Sequence, residues 1–297
     1  MAERFSCALA SHNAGEPCYA TASQVRRWLL VEQPGPWGAD AVSQSRLDAQ
    51  VGRELRQAAR AVGARLLLIR RHGRSEQARR VCYAAVTTAG VRRIERFAVD
   101  DPSELLDIDW SPLRRLAPVG GEVIDRPLYL VCTNGSHDAC CARFGRPVAR
   151  LLDEALGGQV WEASHFGGDR FAGNVVCLPD GIYYGRVLPQ HALALVEAHQ
   201  AGQISLSSYR GRSFVPFVAQ AAEHFVRQAR GITAVDGVLP QQAAEISPGV
   251  FRVTVAVLPA ESVTATVECS EAVDPMRLTC RSTEEEHPPR YRLRALE

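Results

Sequence analysis

Three thiols stand around one short stretch of the chain, Cys132-Thr-Asn-Gly-Ser-His-Asp-Ala-Cys140-Cys141. An apolar run ends at Cys132, and a helical pattern begins at Cys141. A cysteine at a helix start meets free N–H groups and the positive end of the helix dipole, which favour the thiolate. Thiolate is the form that binds metal or attacks a disulfide. A second loop, from Ser164 to Asn174, sets His165 four residues before Asp169 and carries the pair Gly167-Gly168. Those glycines let the backbone turn tightly and approach a bulky ligand closely. Mixed cysteine and histidine donors suit zinc or iron. The plainer alternative is that the cysteines are small buried residues and the histidine is a hydrogen-bonded loop residue.

The elements that must position these loops follow from periodicity. Pro127–Cys132 reads as a strand, 133–140 as a polar loop, and Cys141–Leu156 as a helix closed by Gly157-Gly158. Val160–Ala163 is the next strand. If the crossover is parallel and right-handed, both loops leave the same end of the sheet. Val175–Leu178 and Ile182–Arg186 form a hairpin around Pro179-Asp180-Gly181, and Leu188–His199 is a helix with Pro189 in its first turn. The order β-α-β-β-β-α suits a thioredoxin-like layer.

Upstream, strands are expected at Trp28–Val31, Arg65–Arg70, Val81–Thr87 and Val91–Val99, with a helix over 46–62 stopped by Gly63. Residues 102–121, rich in proline and glycine, read as a connection with short helices at most. Downstream, Phe214–Arg230 is an amphipathic helix, and Val250–Leu258, Ser262–Glu268 and Arg290–Leu296 alternate like antiparallel strands. Gly35-Pro36-Trp37-Gly38 is a rigid turn that packs as an apolar corner. Tyr183-Tyr184 reads as one core and one surface aromatic, and Cys269 and Cys280 as buried thiols.

The chain has 297 residues, 46% of them hydrophobic, enough for two ordinary domains. With 34 basic and 33 acidic residues the net charge is +1, and no basic run marks a nucleic-acid or anionic-membrane footprint. Every basic residue is arginine, as in a GC-rich coding sequence. No apolar run approaches the roughly 20 residues that span a bilayer. The N-terminus lacks the charged and apolar regions of a signal peptide, so a cytoplasmic chain with its nine cysteines mostly reduced is expected. No P-loop or G-x-S-x-G elbow is present.

The segments CTNGSHDACCA, SHFGGDRFAGN and LPDGIYYGRV, with LLVEQPGPWG and RLLLIRR upstream, resemble the sucrase/ferredoxin-like family from about Cys7 to about Arg212. The resemblance implies a thioredoxin-like ferredoxin domain and a [2Fe-2S] cluster held by two cysteines of a C-x8-C loop and two histidines of an H-x3-H loop. By position the cysteines carry over onto Cys132 and Cys141 and the first histidine onto His165. Asp169 stands in place of the second histidine. Three explanations compete: Asp169 ligates directly; Cys140, His137 or Cys177 takes the fourth position; or the fold is kept without the cluster.

The chain is therefore expected to be an α/β protein with a thioredoxin-like ferredoxin domain at 125–205, an N-terminal α/β region at 1–124 and a C-terminal helix with antiparallel strands at 206–297. The expected function is [2Fe-2S] electron transfer with an unidentified redox partner protein, using Cys132, Cys141, His165 and Asp169, and involving neither nucleic acid nor membrane. Two rivals stand beside it. One is a metal-free thiol-disulfide oxidoreductase, against which the absence of a C-x-x-C motif counts. The other is a zinc-binding or cluster-less scaffold.

Overall fold

The computed structural model describes residues 5–73 and 79–297. Apolar runs form its first strands. Arg27–Glu32 (β1) is followed by the helix Ala49–Ala61 (α2) and the strand Arg65–Arg70 (β2), which lies parallel to β1. The side chain of Asp48 accepts the N–H groups of Gln50 and Val51 and starts α2. Gly63, at φ 63°, turns the chain back toward β2. Before these elements lies a short helix, Cys7–Asn13 (α1).

Arg80–Thr87 (β3), Arg92–Val99 (β4) and Glu122–Val123 (β5) continue the sheet as antiparallel strands, the last reached through two short 3-10 turns. The next group is Leu128–Cys132 (β6), Ala139–Leu156 (α3), Val160–Ala163 (β7), Val175–Leu178 (β8), Ile182–Tyr184 (β9) and Pro189–Gln200 (α4). β6 and β7 are parallel across α3, β8 runs antiparallel beside β6, and β9 runs antiparallel beside β8. Tyr209–Arg212 (β10) closes that edge.

All ten strands form one mixed sheet in the order β10-β9-β8-β6-β7-β2-β1-β3-β4-β5. The joint falls at β2 and β7, where Ile69 faces Ala163 and Arg70 faces Glu162. A second sheet comprises Val238–Ser247 (β11), Val250–Val257 (β12), Glu261–Glu271 (β13) and Pro289–Leu296 (β14), with Phe217–Arg230 (α5) packed against it. The architecture is thus mixed α/β, a large sheet with helices and a smaller antiparallel one. Among the described residues no helix is long and apolar enough to cross a membrane.

Three details differ from the sequence reading. Tyr183 and Tyr184 are both fully buried, because β9 lies inside the sheet and each face of it is covered. Cys269 and Cys280 are only partly buried. Helix α3 begins two residues before Cys141, with Asp138 as its cap, so Cys141 lies within the first turn.

Candidate metal centre

Strand β6 ends at Cys132, and its edge-to-edge pairing fixes that sulfur. Cys132 is paired in register with Ala163 of β7, and its N–H donates to the carbonyl of Asn174. Cys141 approaches from α3, which packs close to the strand end because Gly145 lies directly over the Cys132 carbonyl. Both thiols belong to the same apolar cluster.

The loop that follows β7 is pinned beside β2. Ser164 donates its N–H to Leu68 and accepts the Leu68 N–H on Oγ, while Arg65 donates to the Phe166 carbonyl. Behind it, the fully buried Arg210 donates to Gly167 and Asn174. Gly167 and Gly168 both have positive φ, and a Cβ on either would collide with Ser23 or Arg210. Their close approach therefore serves the protein's own side chains.

These constraints bring Cys132, Cys141 and His165 together, with one donor atom from each within 4.8 Å of the others. Asp169 adjoins this trio without belonging to it as a whole. Its Oδ1 accepts from the Cys141 thiol at 3.1 Å and lies 2.9 Å from His165 Nδ1. The second contact is close but poorly aligned for an N–H to donate, so Nδ1 is a buried nitrogen with no hydrogen-bond partner. A second group consists of His137, His165 and Asp169. His137 stacks on His165 with ring centroids 3.8 Å apart, and its Nε2 lies 3.7 Å from Asp169 Oδ2.

The electrostatics follow from this packing. A hydrogen bond from the Cys141 thiol lowers the Cys132 pKa to about 5 against the effect of burial, and His165 adds to the lowering. Cys141, next to the Cys132 thiolate and Asp169, is pushed well up. Burial works against the charged form of His165, yet Asp169 and Cys132 raise its pKa to about 9. Asp169 is lowered despite its burial, chiefly by His165. One thiolate is thus shared across the Cys132–Cys141 pair, with His165 beside it.

Of the alternative fourth ligands, only His137 is close. Its Nδ1 contacts the Ala39 carbonyl at 3.1 Å, and donation to that oxygen leaves Nε2 as the free lone pair. Asn134 reaches the Gly38 carbonyl in the same way, so the 35–38 turn buttresses the cysteine loop. Cys140 faces away, toward Ser6 and Cys280, and Cys177 lies in the apolar cluster on the opposite face of the sheet. Above the two imidazoles opens a cleft of about 400 Å³ bordered by Arg56, Arg60 and Asn134.

Two sulfurs and one imidazole, whose buried Nδ1 has no hydrogen-bond partner, fit a soft or borderline metal ion. For a four-ligand [2Fe-2S] unit they supply three donors. The place of the second imidazole is held by a carboxylate already engaged with His165 and Cys141.

Yeast relatives share 32–33% identity with parts of the chain. The protein of Meyerozyma guilliermondii named "Altered inheritance of mitochondria protein 32" is 33% identical over 95 residues, 28% of this chain and 34% of its own. Its namesake from Debaryomyces hansenii is 33% identical over 99 residues, 30% of this chain and 36% of its own. The Saccharomyces cerevisiae protein of the same name is 32% identical over 112 residues, 33% of this chain and 36% of its own. The chain thus spans about a third of the length of these relatives. No solved structure matches. These findings correct the expected function. The relatives are named for altered inheritance of mitochondria, and no comparison supports [2Fe-2S] electron transfer, so that assignment does not stand. A family model described as sucrase/ferredoxin-like matches residues 18–211, most of the chain, and on that match the chain belongs to the sucrase/ferredoxin-like family.

Proposed function

We propose that this chain binds a transition-metal ion through Cys132, Cys141 and His165, with Asp169 orienting His165 and closing the site. The observation that carries this reading is the convergence of three soft or borderline donors from two separate loops within 4.8 Å. When bound, the metal supplies a positive centre that neutralises the thiolates. The chain's own residues do the rest. Asp169 sets a negative charge beside the ring of His165, His137 stacks on that ring, and Glu162 and Ser164 hold the two loops at one rim of the sheet.

The strand order β7-β6-β8-β9, with the first pair parallel and the others antiparallel, supports a thioredoxin-like reading of residues 125–205. The lack of a disulfide framework in the spacing of the nine cysteines favours cytoplasmic placement. The mitochondrial reference in the relatives' name makes fractionation of cells carrying a tagged chain the direct check.

The test is anaerobic purification followed by zinc and iron analysis per chain. Wild type is expected to hold metal that Cys132→Ala loses. A wild-type chain that takes up neither zinc nor iron after reduction refutes the proposal.

A further inference from the structure

A second group of thiols lies outside this centre and mostly outside the family match. Cys7, Cys140 and Cys280, separated by more than a hundred residues along the chain, meet at the start of α3 around the carboxylate of Asp138. The sulfur of Cys280 is 3.4 Å from that of Cys140 and 3.5 Å from that of Cys7. Cys7 Sγ lies 3.7 Å from both oxygens of Asp138. We propose that Cys7, Cys140, Cys280 and Asp138 form a second metal site, for zinc or a chemically similar divalent cation, which fastens the two ends of the chain to helix α3.

Three observations carry the assignment. First, the spacing suits a shared ion. Sulfurs bound to one tetrahedral zinc at about 2.3 Å stand roughly 3.8 Å apart, whereas a disulfide brings two sulfurs to about 2 Å and leaves a third unpaired. All three thiols are free and crowd one point.

Second, the carboxylate lacks a cation. Asp138 is 1% exposed, and among the described residues its carboxylate contacts are the N–H groups of Cys140 and Cys280 and the Cys7 thiol, none of them a cation. Its oxygens accept the N–H groups of Cys140 and Cys280 at 2.8 and 2.6 Å, which orients it toward the sulfurs and leaves lone pairs for a metal. A buried carboxylate beside three thiols is costly unless a positive charge joins it.

Third, the surroundings are arranged around sulfur. The Cys7 N–H donates to Cys280 Sγ, and Ser6 Oγ contacts Cys140 Sγ at 3.1 Å. Arg277 and Arg281 hold the 277–282 segment by donating to the carbonyls of Cys280 and Ser136. On binding, each thiol gives its proton to solvent and three metal–sulfur bonds form. The carboxylate of Asp138 supplies the fourth. Nothing is oxidised or reduced.

The site shares no ligand with Cys132, Cys141 and His165, so the two proposals fail separately. Zinc added to the reduced full-length chain, followed by native mass spectrometry, reads the occupancy. In Cys132→Ala one bound zinc is expected to remain, and adding Cys280→Ser to that variant, with far-ultraviolet circular dichroism reporting folding, is expected to remove it. Should the double variant fail to fold, wild type alone decides: zinc is expected to block alkylation of the partly exposed Cys280, and a chelator to restore it. Retention of the same zinc by the folded double variant, or alkylation of Cys280 unaffected by zinc, overturns the assignment. So does a Cys140–Cys280 disulfide that persists in the isolated chain and yields, once reduced, no zinc binding.

Discussion

The ring of His137 lies nearly parallel to that of His165, 14° from coplanar orientation, while Asp169 reaches both. One carboxylate therefore serves two imidazoles, and the three side chains differ in what they can do for a metal. His165 alone is grouped with both sulfurs. Asp169→Asn, which keeps the shape and removes the charge, is expected to weaken metal binding roughly 10–100-fold, the usual effect of losing a partner that orients a ligand. His137→Ala is expected to weaken it less. Competition with a chromophoric chelator measures both. Equal and complete loss in the two variants would show that His137 is itself a ligand.

Helix α3 and strand β6 touch where Gly145 meets the Cys132 carbonyl, and a methyl group there would overlap backbone. Gly145→Ala must push the helix away from the strand end. Overpacking of this kind costs about 1–3 kcal/mol. It also separates Cys141 from Cys132, so metal retention is expected to fall together with the melting temperature. A variant as stable as wild type with unchanged metal content would show that the helix yields without moving its first turn.

Glu162 joins the two loops. It accepts from Arg70 at 2.7 Å, from the Thr133 hydroxyl at 2.7 Å, and contacts His72 Nδ1 at 2.8 Å. Burial opposes its charged form, but Arg70, Thr133 and His72 outweigh that and lower its pKa below the ordinary 4.5. A carboxylate depressed on folding contributes stability that is fully present above its unfolded pKa and is lost as pH falls through the folded one. Stability of wild type is therefore expected to decline on acidification below about pH 4.5. Glu162→Gln should be less stable near neutrality and show a shallower acid limb. Melting temperatures between about pH 3 and 7 test this, and parallel acid limbs in the two proteins would rule it out.

Local pattern carried much of this fold into view. The strand Arg65–Arg70 and the helix before Gly63 follow from apolar spacing and a glycine stop, and the parallel β6–α3–β7 unit follows from strand-helix-strand order. The meeting of Cys132, Cys141 and His165 was readable because two loops leave the same end of adjacent parallel strands. Less was legible where the cause is tertiary. Strand β11, with Pro240 and a run of glutamine and alanine, gains its partner only when β12 folds beside it. The contact of His137 with Ala39 depends on a turn almost a hundred residues upstream. Cys7 and Cys280 give no local sign of one another, since nothing in a linear spacing of 273 residues marks a shared point.

The C-terminal sheet is tied to the rest through a buried charge cluster. Glu223 of α5 accepts from Arg212 of β10 and from Arg227, and all three are fully buried. Arg227 also donates to the carbonyls of Ala234 and Val235, and so stitches the helix to the segment leading into β11. Replacing such a set with apolar residues can be neutral, but removing one member leaves uncompensated charge in the interior. Glu223→Ala would strand two guanidinium groups, at a cost of about 3–5 kcal/mol. Arg212→Met leaves the Glu223–Arg227 pair intact and is expected to cost less. Denaturant melts of the two variants make the comparison. Because Arg212 lies on the edge strand of the large sheet and Glu223 on the helix that covers the small one, the Glu223 variant should also expose the small sheet to proteolysis before the large one. Simultaneous cleavage of both would mean that they unfold as one unit and that the cluster holds no separate boundary between them.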